Sequence, residues 1–218
     1  MIGLRSITVS LLPLLLLVST SLAVAQSNNS GRPWGPGHWP PDENPRFFPV
    51  GVFGGWDGGR MAGYFAWYLR SMAEKPMPDC LGPEHPQVYR VLVLPPYGSR
   101  LLVRLSVTTG GSAELTAKVG QSDWHPEVLI VDKTMEVSNA DVESFLKRLN
   151  DAAFWSVPAE DPRHDVMGGV VWLIEGAKAG EYHVVDRPDS ELGPLKDSAV
   201  FLTVRLGKVD LPTRPPHK

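Results

Sequence analysis

Apolar residues recur along this chain with two periods, and the switch between them marks the predicted elements. Between 60 and 73 they return every three or four positions, with Phe65, Leu69 and Met72 on one side, and Pro76 ends the run. This spacing predicts a helix. Runs rich in β-branched and other apolar residues then predict strands at 88–94, 101–108, 113–119 and 129–137, with Gly110-Gly111 as a hairpin turn between the second and third.

A second helix is predicted after the last of these strands. Ser138, with Asp141 three residues later, resembles a capping box. The helix is expected to end near Phe154 and Trp155, which we interpret as core aromatic residues. Its apolar residues share one helical face: Val142, Phe145, Leu146 and Leu149.

The densest patch of candidate chemistry lies on one predicted hairpin, in which two runs of β-branched and aromatic residues flank a loop at 176–180 with a glycine at each corner. Its register decides which side chains share a face. A five-residue loop places Glu175, His183 and Arg187 on one side. A four-residue loop turns His183 to the side of Trp172 instead.

The last apolar residues of the chain are spaced four, three and four apart, which favours a closing helix at 195–206. Val200, Phe201 and Val204 leave a strand open as the alternative. Together these elements predict an α+β fold: a mostly antiparallel sheet with about three helices packed on it, in a single domain at 50–210.

The start of the chain differs in composition from this domain. Arg5, an apolar run at 7–18 and the small residues Ala23 and Ala25 are typical of a cleavable secretory signal peptide at 1–25. The apolar run is shorter than the roughly 20 residues of a membrane span, which disfavours an uncleaved anchor, so no membrane span is expected after cleavage. No cysteine follows the small residues, which disfavours a lipid anchor.

Two further segments are predicted to be disordered. Residues 26–49 are rich in Gly, Pro, Asn and Ser, and the recurring prolines exclude regular backbone hydrogen bonding, so we expect a tether. Trp34, Trp39 and Phe47 either dock on the domain or on a partner, or are carried on a mobile segment. A matching tail is expected at 211–218.

Composition narrows the class of protein. A formal net charge of -3 lacks the basic footprint of a nucleic-acid binder, and 43% hydrophobic with 21% charged residues is typical of a globular protein. Cys80 is the only cysteine, so no intrachain disulfide can form. Its thiol is either buried and inert or an intermolecular link; a catalytic role is less favoured, because no flanking residue obviously lowers its pKa.

The candidate ligand-binding residues are four polar residues of the hairpin: Glu175, His183, Asp186 and Arg187. A zinc site typically needs three converging ligands, and the hairpin contains one histidine. Further ligands would have to come from His85, His125 or the Asp161-His164-Asp165 loop, and no spacing forces these together.

Neither a Gly-x-Ser-x-Gly elbow nor a His-Glu-x-x-His run is present. The competing interpretation is structural: Asp186 and Arg187 fix the end of a strand, and His183 covers a face of the sheet. On this basis no catalytic residue, metal or cofactor is predicted.

Four segments together resemble a family of bacterial exported proteins that has no established function. They are WYLRSMAEKP, YRVLVLPPYGSRLLVRL, FLKRLNDAAFWSVP and WLIEGAKAGEYHVVDR, and the match covers 64–206. The most specific element is the hairpin, which matches the family at Trp172, Glu175, Gly176, Gly180, Tyr182, His183, Asp186 and Arg187. The chain departs from the family at Pro95-Pro96 and at Pro188-Asp189-Ser190, where the family usually has Trp-Ser-Pro. The resemblance implies an exported α+β domain and supplies no activity.

The expected function is therefore that of a non-catalytic binding or interaction protein, periplasmic or secreted. Its partner would be a protein or small-molecule ligand of the envelope and not a nucleic acid. The alternative is a hydrolase-like or metal-dependent enzyme centred on the hairpin at 172–187. An enzyme needs a pocket in which His183 meets a second polar group, whereas an interaction protein needs an exposed apolar patch or groove.

Overall fold

Six strands form one sheet in the computed structural model, which describes residues 47–54, 58–122, 124–159 and 169–211. The strands are β1 (Gln87–Leu94), β2 (Arg100–Val107), β3 (Ala113–Gly120), β4 (Leu129–Val137), β5 (Val171–Lys178) and β6 (Glu181–Pro188). Their order across the sheet is β4-β3-β2-β1-β5-β6, and every neighbouring pair is antiparallel. The strands β1 to β4 therefore form a meander, and the β5–β6 hairpin pairs with the outer edge of β1.

Three helices pack on this sheet: α1 (Gly58–Ser71), α2 (Asn139–Asp151) and α3 (Leu195–Val200), the last continuing as a π-helical segment, Phe201–Leu206. Single 3-10 turns lie at Met77–Cys80, Phe154–Ser156 and Asp189–Glu191. The predicted α+β class, with a mostly antiparallel sheet and about three helices, is confirmed.

Both faces of the sheet are covered. Phe65 and Leu69 of α1 pack with Leu92 and Leu102 on one face, which we call the α1 face. The opposite, α2 face packs against α2 and α3 through a second cluster that includes Val91, Val103, Ile174, Phe145 and Leu195. Because the central strands are buried on both sides, they read in the sequence as nearly continuous apolar runs.

The predicted start of α2 and the predicted closing helix agree with the structure, whereas α2 ends at Asp151 and Phe154 begins a separate 3-10 turn. The Ser138 hydroxyl accepts a hydrogen bond from the Asp141 backbone N–H at 3.3 Å, which caps the first turn of α2. The closing segment is helical throughout, and its four predicted core residues are buried: Leu195, Ala199, Leu202 and Leu206.

Two residues that the sequence analysis assigned to the tether belong to the core. Phe47 and Phe48 are 2% and 3% exposed, and the Phe48 ring contacts Phe53 and Phe65 with centroids 5.2 and 6.4 Å apart. The guanidinium of Arg70 lies 5.5 Å from the centre of the Phe47 ring. Phe47 thus docks on α1. Trp34 and Trp39 lie outside the described residues.

The hairpin loop is shorter than either predicted length. Lys178 pairs with Glu181, so only two residues form the turn, and the β5 strand runs through the predicted loop. The reason lies at Gly176, where a Cβ atom would stand 2.8 Å from the Phe154 ring and 3.2 Å from the Tyr89 ring. This glycine serves close packing rather than a turn. Gly180, with φ +75°, is the turn glycine.

Several predictions concern residues that the structure does not describe: the signal peptide at 1–25, the tether as far as 46 and the tail from 212 onward. Leu211, the first residue of the predicted tail, packs against the core of the α2 face. In the described part of the chain, the helices are too short or too polar to cross a membrane.

Candidate functional site

The four candidate residues of the hairpin do not form one site. Arg187 and His183 lie on the α2 face, because they pair with Trp172 and Gly176 of β5. Glu175 and Asp186 alternate with them and lie on the α1 face. This is the distribution expected for an even-numbered loop, in which the charges of the hairpin are scattered.

Glu175 lies in a fully buried ion pair on the α1 face. Its carboxylate accepts hydrogen bonds from Arg90 Nε at 2.7 Å and from the Tyr182 hydroxyl at 3.0 Å, and Arg90 Nη2 lies 2.6 Å away. Arg90 is opposite Glu175 in the β1–β5 register. Burial alone would lower the pKa of Arg90, but the carboxylates of Glu175 and Glu74 hold that pKa above its ordinary value.

A second carboxylate extends this pair into a larger network. Glu74, which follows α1, is 2.8 Å from Lys118 Nζ, 3.1 Å from Arg104 Nε and 3.5 Å from Arg90 Nη1. We call these four residues, together with Glu175, the buried charge cluster. It contains three cations and two carboxylates, and all but Arg104 are nearly or fully buried.

Polar side chains surround the cluster. Arg104 donates from Nη1 to the Ser106 hydroxyl at 3.1 Å and from Nη2 to the Thr116 hydroxyl at 3.3 Å. The Cys80 thiol donates to the Pro76 carbonyl at 3.5 Å. Burial raises the pKa of Cys80 against the opposing influence of Arg104 and Arg90, which disfavours a reactive thiolate.

Sequence reasoning missed the cluster except for Glu175. The signal was present in three charged residues inside otherwise apolar strand segments: Arg90 in YRVLVL, Arg104 in LLVRLSV and Lys118 in LTAKVG. A charge within a strand that is buried on both faces requires a partner. Glu74 could not be identified as that partner, because it approaches from α1, in a different layer.

Asp186 occupies a separate part of the α1 face. It is 1% exposed, and its backbone N–H donates to the Ala159 carbonyl at 2.8 Å. Burial raises the pKa of Tyr64, and the charge of Asp186 contributes in the same direction. Arg100 lies over the Tyr68 ring at 5.3 Å.

His183 and Arg187 have structural surroundings on the α2 face. The His183 ring lies against Phe154 and Trp155, with centroids 4.9 and 6.1 Å away. Burial lowers the pKa of His183, against hydrogen bonds with the backbone of Val157 and Phe154 that raise it. Arg187 donates to the Pro158 carbonyl at 2.6 Å, which ties β6 to the segment after α2.

The other predicted ligand donors do not complete a metal site in the described part of the chain. His125 pairs with Glu127 at 3.1 Å in an exposed loop. His85 precedes β1, and the Asp161-His164-Asp165 loop lies outside the described residues. Among residues 47–54, 58–122, 124–159 and 169–211, no group of three His, Cys, Asp or Glu side chains could hold an ion.

A groove of about 490 Å³ lies between α2 and α3, away from all four hairpin candidates. Its walls are polar and largely paired: Arg148 bridges to Asp197, and Lys147 to Asp151. Nothing in this lining is specific to one class of ligand.

Of the six exposed large apolar residues in the described part of the chain, four lie at one end of the sheet, and the other two are Val50 and Val204. Tyr97 lies in the β1–β2 turn, and Trp124, Val128 and Ile130 lie in the β3–β4 loop and the first residues of β4, with exposures of 71%, 61%, 45% and 59% in that order. We call these four residues the turn surface. The two turns are neighbours, because Ser99 Oγ donates to the Gln121 carbonyl at 3.2 Å.

No protein-family model matches this chain, and no curated protein matches it significantly.

Proposed function

We infer that this protein is a non-catalytic interaction protein of the envelope, periplasmic or secreted, which binds a protein partner through the turn surface. The observation that carries the proposal is the exposure of Tyr97, Trp124, Val128 and Ile130 at one end of the sheet. The hairpin resemblance and the leader-like sequence at 1–25 support the export part of the proposal.

The chemistry of the turn surface suits a protein partner. Trp and Tyr are enriched among the residues that dominate binding energy in interfaces, because each offers a large apolar area with few rotatable bonds. Trp124 and Tyr97 are both more than half exposed, although the same chain buries Trp172 and Phe154 completely. A contiguous exposed apolar patch is typical of an interaction site, and the adjacent turns would bring these residues together in one patch.

The alternative enzyme receives less support from the geometry. An acid–base pair on the hairpin requires two titratable groups in one pocket. His183 and Glu175 lie on opposite faces of the sheet, and Glu175 is engaged by Arg90 and Tyr182. These contacts support a structural role for the hairpin.

Site-specific photo-crosslinking in the native host tests the proposal. A benzophenone amino acid replaces Trp124 or Tyr97 in the full chain. Val204 is the matched control position, since it is apolar, 38% exposed and lies on the π-helical segment instead of on either turn. We expect one discrete protein adduct from positions 124 and 97 and none from 204.

A second variant shows whether the adduct reflects recognition. Ile130→Ser leaves the crosslinker at position 124 in place but removes an exposed apolar contact, so the adduct should decrease at least about tenfold, while the unfolding temperature stays within about 2 °C. The same adducts at 124 and 204, or no adduct at 97 and 124, would show that the turn surface is not a binding site.

A further inference from the structure

We propose that Arg90, Arg104 and Lys118 form a carboxylate-binding site, which Glu74 fills in this conformation and which an external carboxylate group enters when the Glu74 side chain leaves. This inference concerns the α1 face and is independent of the turn surface.

The three cations converge on one carboxylate from three adjacent strands. Lys118 on β3 contacts Oε1 of Glu74 at 2.8 Å, whereas Arg104 on β2 and Arg90 on β1 contact Oε2 at 3.1 and 3.5 Å. Each oxygen therefore has its own cation or pair of cations. This arrangement matches the two oxygens of a carboxylate.

Each cation also has fixed partners other than Glu74. Arg90 is held by Glu175 and by the Lys75 carbonyl, to which Nη1 donates at 2.7 Å. Arg104 is held by the hydroxyls of Ser106 and Thr116. Lys118 donates to the carbonyls of Met72 at 2.8 Å and Ala73 at 3.3 Å. With the backbone at 72–75 in place, the donors are therefore oriented without the Glu74 side chain, and such preorganisation is what a binding site requires.

The charge balance favours a replacement anion. Without the Glu74 carboxylate, Arg90, Arg104 and Lys118 would share the single charge of Glu175, and buried charge without a partner is strongly unfavourable. A carboxylate from outside would restore the balance that Glu74 provides.

The geometry also shows from which side the site is reached. The Arg104 side chain is 21% exposed and that of Lys118 9%, whereas that of Arg90 is fully buried. The site is therefore reached from the side of β2 and β3. Glu74 follows Ala73, whose left-handed φ of +53° ends α1. The Ala73 N–H donates to the Arg70 carbonyl and the Glu74 N–H to the Leu69 carbonyl, both at 2.9 Å. The backbone is therefore held in place, and the Glu74 carboxylate would leave by rotation of its side chain alone.

The decisive test uses the wild-type full chain. Arg104 Nε–H donates to Glu74, so its proton resonance, assigned through Arg104→Lys, reports displacement. Titration with acetate at constant ionic strength should shift this signal saturably, while the signal of Arg148 on α2 stays fixed. A short peptide with a free C-terminus and its amidated form distinguish a partner's terminal carboxylate from a small free acid as the source.

A variant examines the same cations with the site emptied. In Glu74→Ala, formate should raise the unfolding temperature by at least about 3 °C over chloride at equal ionic strength. Glu74→Gln, whose neutral amide fills the space, should show no such difference. An Arg104 signal that does not respond to carboxylates in the wild type would overturn the proposal, even if formate stabilised Glu74→Ala, because the cluster would then be an internal ion network only. Should Glu74→Ala fail to fold, the wild-type titration decides alone.

Discussion

Lys118 Nζ lies 2.8 Å from Glu74 Oε1, although the two residues belong to different layers and are 44 positions apart in the chain. Lys118 belongs to β3 and Glu74 follows α1. The same ammonium group donates to the Met72 carbonyl at the end of α1. The contact therefore both neutralises a buried cation and closes the end of the helix that covers the α1 face.

Removal of the Glu74 charge should destabilise the fold strongly. In Glu74→Gln, the three cations of the buried charge cluster keep one carboxylate between them, and breaking a buried ion pair on one side typically costs about 3–5 kcal/mol. Urea unfolding measures the free-energy difference. Glu136→Gln is the matched control, since Glu136 is exposed on β4, and should change stability by less than about 0.5 kcal/mol. Equal effects of the two substitutions would contradict the network as described.

Gly176 should not tolerate a methyl group. A Cβ atom there would stand 2.8 Å from Phe154 Cε1 and 3.2 Å from Tyr89 Cδ1, so Gly176→Ala should cost about 1–3 kcal/mol through overpacking. Gly82→Ala, with nothing within 4 Å of the new Cβ, is the control and should be neutral. Thermal unfolding of both variants checks the difference, and a neutral Gly176→Ala would show that the Phe154 ring can move aside.

The close packing around Gly176 explains why the hairpin loop was predicted too long. A glycine at the end of an apolar run indicates a turn when only local sequence is considered. The requirement at 176 comes instead from Phe154 and Tyr89, which are distant in sequence. The other strands were predictable to within about one residue, because an apolar run bounded by turn residues is a local signal.

The charge cluster was predictable only in part, for a similar reason. Each strand cation is visible locally as a charge within an apolar run, but its partner depends on how layers stack. Arg90 pairs with Glu175 across 85 positions, and Arg104 with Glu74 across 30. The parity of the hairpin loop, by contrast, determined which face each candidate occupies, so the even-loop alternative gave the observed distribution.

Phe48 should behave as a core residue despite its proline-rich neighbourhood. It is 3% exposed and contacts Phe53 and Phe65, so Phe48→Ala should cost about 3–5 kcal/mol, as other large-to-small aromatic core substitutions do. Val50→Ala, at a residue 93% exposed, should cost less than about 0.5 kcal/mol. If both substitutions were neutral, the domain would begin after this segment, as the composition alone suggested.

Export should leave Gln26 as the first residue. The small residues Ala23 and Ala25 are those that a signal peptidase recognises, and cleavage after Ala25 removes the apolar run. Mass spectrometry of the protein recovered from its native compartment should find this terminus, and Ala25→Leu should slow its appearance. An intact Met1 in a membrane fraction of wild-type cells would instead show that the run is an anchor.

His183 should make stability fall in mild acid. Burial against Phe154 and Trp155 lowers the pKa of His183 below the ordinary 6.5. The folded protein then binds fewer protons than the unfolded chain as the pH falls. The contribution of His183 is complete above pH 6.5 and is lost as the pH decreases from there through the folded-state pKa.

The measurement is the unfolding temperature of His183→Gln and wild type between about pH 7.5 and pH 5. We expect a shallower decrease in the variant, because its neutral side chain removes one group whose proton uptake favours unfolding. His125→Gln, in an exposed loop, should retain the wild-type slope. A variant slope equal to that of the wild type would mean that the folded protein accommodates the protonated His183 ring as readily as water does.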